Sequence, residues 1–241
     1  MKRVVWQSRA ELRLAETDRR WSLLSGVVAE RGDGWAWSGR GQLLGSSADG
    51  GARATNVQLR FGLVHRPPRT RWILLNRIDG ILDESTAAAA GTQVSGDAAA
   101  TRSLRLVDNF LANYKPRKDL QVSLGYGAKI ANERIGGETF AGYTDQPSIE
   151  LRYDVTPLWD LGVRGSVLHV WNAGQLSYSA GPSVGFTPAT NVWLSLGFNL
   201  TGYHDRDFSA ATATAFGPLL RVRLKFDQES VREAAAWLDR Q

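Results

Sequence analysis

One stretch of this chain, Tyr203-His204-Asp205-Arg206-Asp207, brings a histidine together with two carboxylates. A histidine beside a carboxylate can act as a general base, so the stretch offers the chemistry that a hydrolase needs. Polar surface loops often hold such residues without a catalytic role, however. We therefore interpret the stretch as a polar loop, and we predict that the protein is not an enzyme and has no catalytic residues.

The other two histidines have fewer potential catalytic partners nearby in the sequence. His65 lies beside the Pro67-Pro68 turn, and His169 lies in an alternating apolar segment without an obvious nucleophile beside it, so we interpret His169 as an interfacial residue. The paired-histidine spacing of a metal site does not occur. The sequence has no cysteine, which excludes disulfides, thiolate metal sites and cysteine catalysis. The sequence therefore predicts neither a metal nor a cofactor.

Charged residues elsewhere follow a period of two, which is the period of a β-strand. Near the end of the chain, apolar residues alternate with basic ones; the apolar set is Leu220, Val222, Leu224 and Phe226, and the basic set is Arg221, Arg223 and Lys225. A soluble sandwich would bury the apolar set, whereas a membrane barrel would turn it toward lipid and the charged set toward the lumen. Alternation alone does not choose between these folds.

The number and length of the segments favour the barrel. Twelve strands are predicted, near residues 4–16, 21–31, 35–45, 52–66, 70–82, 103–115, 119–131, 148–155, 158–171, 176–187, 191–203 and 217–227. Segments of about ten residues suit a tilted strand that crosses a bilayer.

The lengths of the connections point the same way. The connections after even-numbered strands are short and mostly contain proline, whereas the three long ones follow odd-numbered strands, at 83–102, 132–147 and 204–216. Periplasmic turns and extracellular loops produce this asymmetry. The prediction is an all-β, closed, antiparallel up-and-down transmembrane barrel over residues 1–228, in the outer membrane, with both termini in the periplasm.

Aromatic residues cluster at the strand ends, as in the two interfacial girdles of a membrane barrel. The predicted girdle at the short turns is Trp6, Trp35, Trp37, Trp72, Tyr114, Tyr153, Trp159, Phe186 and Phe226, and the one at the long loops is Trp21, Trp171, Tyr178, Tyr203 and Phe216. Trp193 is an exception, because its position in the alternation turns it inward.

Composition agrees with this fold. The 241 residues are 43% hydrophobic with a mean hydropathy of −0.27, and they include no run of about eighteen apolar residues that would form a helical membrane span. The net charge is +5, but the basic residues are scattered over alternating strands, so no nucleic-acid partner is expected.

The two ends of the chain lead to separate expectations. No apolar core of an export signal follows Met1-Lys2-Arg3, so we expect the sequence to be the mature part of a longer precursor or one domain of a larger protein. Residues 229–241 change period: Ser230 and Glu233 fit a capping box, which predicts a short periplasmic helix. This helix could lie on the rim, plug the lumen or remain a solvated tail.

The inward-facing side chains must carry any transport function. The predicted inward bases are Arg9, Arg13, Arg40, Arg60, Arg77, Arg105, Lys129, Arg152, Arg164, Arg221, Arg223 and Lys225, and the acids are Glu11, Glu30, Asp79, Glu150, Asp154 and Asp160. Twelve strands lie between the roughly eight that side chains can fill and the sixteen that leave a wide channel. An open interior would be a narrow pore that favours anions, and a closed one would be an inert anchor.

Two segments, Arg71–Asp79 and Gly217–Gln228, resemble the carboxy-terminal barrel of very long, repeat-bearing surface proteins of Gram-negative bacteria. The resemblance implies an outer-membrane anchor with large upstream domains. The final strand ending in Phe226 also resembles the signal that the outer-membrane assembly machinery reads. The predicted partners are therefore the lipid bilayer, that machinery and the upstream domains. An autotransporter-type translocator, which also has twelve strands, and an outer-membrane hydrolase are lower alternatives.

Overall fold

The computed structural model describes residues 3–86, 100–189, 192–205, 207–208 and 216–224. Its strands are β1 (Arg3–Leu14), β2 (Asp18–Glu30), β3 (Trp35–Ala48), β4 (Arg53–His65), β5 (Trp72–Thr86), β6 (Thr101–Arg117), β7 (Leu120–Ile135), β8 (Glu138–Asp154), β9 (Trp159–Val170), β10 (Gln175–Ala189), β11 (Val192–Asn199) and β12 (Gly217–Leu224). One 3₁₀ turn, Trp171–Ala173, joins β9 to β10.

The twelve strands form one sheet in chain order, from β1 to β12. Each strand pairs antiparallel with its neighbours in the chain, as in the pairing of β1 with β2 and of β11 with β12. The predicted up-and-down all-β fold is therefore confirmed. Among the described residues no pairing joins β12 to β1, so closure of the sheet is not part of the described structure. The predicted helix at 229–241 lies outside the described residues.

No helix in the described parts of the chain is long and apolar enough to span a membrane.

The predicted long loop at 132–147 is wrong, because most of these residues extend two strands. β7 continues to Ile135 and β8 begins at Glu138, with only Gly136-Gly137 between them. Both glycines have positive φ, 59° and 90°, as the central residues of a tight hairpin turn require. The two remaining long connections, between β5 and β6 and between β11 and β12, lie at the same end of the sheet.

Strand β11 is shorter than the sequence predicts. It ends at Asn199 rather than near residue 203. Beyond it, Thr201 makes an isolated bridge to Ala180 of β10, and Ala180 N–H donates to the Thr201 carbonyl over 3.1 Å. Beyond Asn199 the chain thus loses its pairing with β12 but keeps one bridge to β10. The residues that follow cross one face of the sheet.

The register sorts the side chains onto two faces of opposite character. On β6, Leu104, Leu106 and Phe110 share one face, while Arg105 and Val107 share the other. Leu106 is 50% exposed, whereas Val107 is 1% exposed. We call the face of Leu106 the outer face and the face of Val107 the inner face. The outer face carries many large apolar side chains that are exposed, such as Leu59, Leu104 and Leu196.

Candidate functional site

The inner face carries the predicted inward side chains. By register it holds the following described members of the predicted set: Arg9, Glu11, Arg13, Glu30, Arg40, Arg60, Arg77, Asp79, Arg105, Lys129, Glu150, Arg152, Asp154, Asp160, Arg164, Arg221 and Arg223. Lys225 lies outside the described residues.

Asp79 is the centre of one inner-face cluster. Arg60 Nε lies 2.5 Å from Asp79 Oδ1, and Arg77 Nε lies 2.8 Å from Asp79 Oδ2. The neighbouring strands β4 and β5 place Arg60 directly opposite Asp79. The carboxylate is buried, so the two guanidinium groups compensate its loss of water. This cluster ties β4 to β5.

A second cluster surrounds Trp193 of β11. The Trp193 Nε1–H donates to Asp160 Oδ2 over 2.7 Å. The guanidinium carbons of Arg152 and Arg223 lie 4.2 Å and 5.0 Å from the centre of the Trp193 ring, within the range of a cation–π interaction. Arg152 also pairs with Glu150 at 2.9 Å. The alternation predicted that Trp193 points inward, but it gave no signal of the stacking.

The residues that follow β11 fold onto the inner face. We call residues 200–205 and 207–208 the inner segment. Lys129 Nζ of β7 lies 2.6 Å from Asp205 Oδ2 and 3.1 Å from Asp207 Oδ2. On β6, Arg105 Nη1 lies 3.6 Å from Asp207 Oδ1, and Asn109 Nδ2–H donates to the Asp207 carbonyl over 3.2 Å. Since β6 is five strands from β11 in the sheet, the segment crosses the space in front of the inner face.

Phe208 anchors the end of the inner segment. It is 3% exposed and forms a small apolar core with Val107 and Leu168, against which Tyr203 packs. Gly127 of β7 makes room for the ring, since a Cβ there would lie 2.5 Å from Phe208 Cδ1. Phe208, a residue outside the strands, therefore packs against β6, β7 and β9.

Tyr203 holds the beginning of the segment through hydrogen bonds. Gln146 Nε2–H donates to the Tyr203 hydroxyl over 2.6 Å, and that hydroxyl donates to Ser166 Oγ over 2.8 Å. Gln146 is 1% exposed, so its amide depends on such a partner. The placement of Tyr203 in the long-loop girdle is therefore wrong, because the early end of β11 turns this residue inward.

The structure gives the histidines no shared site. His204 is exposed, while its neighbours Asp205 and Asp207 pair with Lys129 instead. His169 faces outward, where its Nδ1 lies 3.9 Å from Asp145 Oδ1 and its ring lies 4.2 Å from the Trp171 ring. The part of the chain that the structure describes contains no group of three or more His, Asp or Glu residues arranged to hold a metal ion.

Apart from Tyr203, the described girdle residues on strands lie on the outer face, and Phe216, just before β12, meets Phe198 of that face with ring centres 5.1 Å apart. Two pairs of girdle residues are in contact across neighbouring strands. Trp72 stacks on Tyr114 with ring centres 4.4 Å apart, and Trp159 meets Phe186 at 4.5 Å. The other described members on strands of this face are Trp6, Trp21, Trp35, Trp37, Tyr153 and Tyr178, with Trp171 in the 3₁₀ turn beyond β9. Phe226 lies outside the described residues.

Sequence reasoning missed two polar residues on the outer face. Asn76 and Asp108 lie near the middle of β5 and β6, among Ile78, Leu106 and Phe110. Asn76 Nδ2–H donates to Asp108 Oδ1 over 2.6 Å. Both residues occupy positions of the apolar set in the alternation, and this pattern could have identified them from the sequence.

No protein-family model matches the sequence, and no curated protein matches it either. Several solved structures are similar to this chain, among them the following three. The translocator domain of autotransporter NalP from Neisseria meningitidis is 12% identical, with a TM-score of 0.39 over 92% of this chain and 86% of that one. The KdgM porin, solved in complex with disordered oligogalacturonate, is 11% identical, with a TM-score of 0.37 over 93% and 99%. The NanC porin is 10% identical, with a TM-score of 0.38 over 93% and 98%.

Proposed function

We propose that this protein is an integral β-barrel of the bacterial outer membrane that anchors a larger surface protein. The outer face carries the proposal: large apolar side chains such as Leu59, Leu161 and Leu196 are more than half exposed on strands across the sheet. A soluble monomer rarely exposes so wide an apolar surface, whereas hydrocarbon is its natural solvent.

In the bilayer the sheet closes through β1 and β12. Each of these strands pairs on one side only among the described residues, so each presents a row of unpaired backbone groups. Unpaired N–H and C=O groups cost several kcal/mol each in hydrocarbon. An even number of strands then puts both termini on the same side, at the short turns, which we assign to the periplasm.

The inner segment favours an anchor over an open channel. It crosses the inner face from β11 to β6 and is held by the Lys129 ion pairs and by the Phe208 core. A barrel of twelve strands leaves only a narrow interior. A chain segment whose Tyr203, Asp205 and Phe208 side chains contact the inner face leaves little room for a solute.

Planar-bilayer conductance tests the anchor. We expect the full chain, shown to be folded by heat-modifiable migration on gels, to give no steady current steps. Asp205→Asn combined with Asp207→Asn removes the ion pairs to Lys129 and Arg105 and should produce intermittent steps. Glu16→Gln combined with Asp49→Asn changes the charge equally in exposed connections and serves as control. Large steady steps from the unaltered chain would contradict the anchor.

A narrow, weakly anion-selective pore is the second candidate, and one observation favours it. The side chains of Arg9 and Arg13 on β1 are 75% and 76% exposed, so the inner face remains solvated where the inner segment does not reach. A ring of such charges selects anions. If conductance steps occur, their reversal potential in a salt gradient should show anion preference, and Arg9→Gln with Arg13→Gln should reduce it.

The proposed function is not enzymatic. In the described structure the carboxylates near His204 are bound to cations, and no hydroxyl nucleophile is paired with His169. Peptidase and phospholipase assays should therefore give no turnover. Activity that was lost on His204→Ala or His169→Ala would overturn this part of the proposal. Further proposed partners are the bilayer, the outer-membrane assembly machinery and upstream domains, without nucleic acid.

A further inference from the structure

Basic residues on the outer face are confined to the strand ends. Four lie at the long-loop ends of β2, β4, β6 and β7, namely Arg19, Arg53, Arg102 and Arg134. At the opposite end Arg117 faces Tyr153, and its Nε lies 3.2 Å from Asp119 Oδ1. The middle of the described strands has no outward lysine or arginine. The middle of the described outer face therefore carries no basic side chain, whereas four arginines lie at one border.

The depth of this border matches the edge of a bilayer. On β6 the outward residues run from Tyr114 through Phe110 and Leu106 to Leu104, and Arg102 comes next. Ten residues of a strand tilted by about 40° rise about 25 Å, which is the height of the apolar band of an outer-membrane barrel. Arg102 then lies just beyond the hydrocarbon, at the level of the lipid headgroups.

Two of these arginines are direct cross-strand partners. Arg102 of β6 pairs with Arg134 of β7, and one outward row continues from Glu84 through both arginines to Thr139. Glu84 Oε1 lies 3.1 Å from Arg102 Nε. The described residues supply no ion pair to Arg134. Like charges directly opposite each other destabilise a sheet, so a further anion between them would relieve the repulsion.

We propose that Arg102 and Arg134, with Arg53 nearby, bind the phosphate of an anionic lipid in the outer leaflet. Two guanidinium groups on adjacent strands match the oxygen atoms of one phosphate. The Thr139 hydroxyl, next in the row, adds a donor. A lipid phosphate fits better than a free one, because its acyl chains cover Leu104 and Leu106 directly below. The proposal rests on the membrane location proposed above.

Spin-labelled lipids test the site in the full, membrane-inserted chain. Vesicles of phosphatidylcholine receive traces of labelled phosphatidic acid or labelled phosphatidylcholine, and the relative association of the two lipids with the barrel is measured. We expect phosphatidic acid to be preferred. Arg102→Gln and Arg134→Gln should each reduce the preference by about fivefold, which corresponds to about 1 kcal/mol for one arginine beside an anionic lipid.

Arg9→Gln is the control, because it removes one positive charge, as each test variant does, but from the inner face. It should leave the lipid preference unchanged. An equal loss in the control, or no loss in the Arg102 and Arg134 variants, would overturn the site. Complete competition by inorganic phosphate would show a free-anion site and overturn the lipid assignment. A chain that remains soluble and does not insert would instead refute the proposed membrane function.

Discussion

Asn76 and Asp108 form a polar pair among apolar residues on the outer face. In the membrane location proposed above, a carboxylate at this depth is costly unless it is paired, and the 2.6 Å hydrogen bond from Asn76 supplies that partner. We predict that Asn76→Leu lowers the free energy of unfolding by about 3 kcal/mol, because it leaves Asp108 without this donor. Urea unfolding in detergent micelles or vesicles measures the change.

The double variant Asn76→Leu with Asp108→Leu distinguishes the effect of the polar interaction from the effect of side-chain packing. Replacing both partners by apolar residues is often neutral or stabilising, so we expect its stability to return to that of the unaltered chain or above. If the double variant is as unstable as the single one, the stabilising role of the pair is not a matter of charge compensation.

At the scale of single residues, the alternation predicts the face of a strand residue but not the position of a loop residue. It placed Arg60, Arg77 and Asp160 on one face, because a period of two fixes the side of a strand residue wherever the strand runs. It could not place Phe208, since a loop residue has no period. The buried site of Phe208 depends on Gly127, which is distant in the sequence.

Phe208 also fastens one whole element, the inner segment, to three strands. We predict that Phe208→Ala destabilises the protein by about 3 kcal/mol, because the ring fills a closed site against Val107 and Leu168. Urea unfolding measures this loss. Phe140→Ala, at an exposed position of β8, is the matched control and should change stability little. Equal effects of the two changes would mean that the inner segment contributes nothing to the fold.

The β7–β8 hairpin shows why an element was missed. The three glycines of the stretch 132–147 predict a loop, yet Gly136-Gly137 is also the signal of a two-residue turn. We predict that Gly137→Val costs about 1–2 kcal/mol, because its φ of 90° is strained for a β-branched residue although its Cβ would meet no atom.

Gly136→Asn is the control for that change, since asparagine tolerates the φ of 59° at this position. Urea unfolding, together with hydrogen exchange of the amides near Ile135 and Glu138, should show a loss for the valine variant alone. Equal tolerance of both changes would imply that the hairpin tip does not contribute to stability.

At the scale of the whole molecule, large apolar side chains are exposed on one face of the sheet, and most of the charged side chains lie on the other. Alternation and loop lengths predicted twelve antiparallel strands in chain order, because each strand needs only local pattern to form and a short turn to pair. They could not predict how the interior is filled. That outcome depends on ion pairs such as Lys129 with Asp205, whose partners are far apart in the sequence.

Single-cysteine variants test the two faces directly, because the chain has no cysteine of its own. A fluorescent label at Leu104→Cys or Leu106→Cys should be quenched by nitroxides on lipid tails, since both residues face outward within the apolar band. A label at Ser103→Cys, one residue away on the inner face, should escape that quencher. Aqueous iodide should show the opposite order wherever the inner face is solvated. Lipid in contact with the apolar face alone would quench only every second residue of the strand. Quenching that does not alternate along β6 would therefore show that the apolar face is not in contact with hydrocarbon.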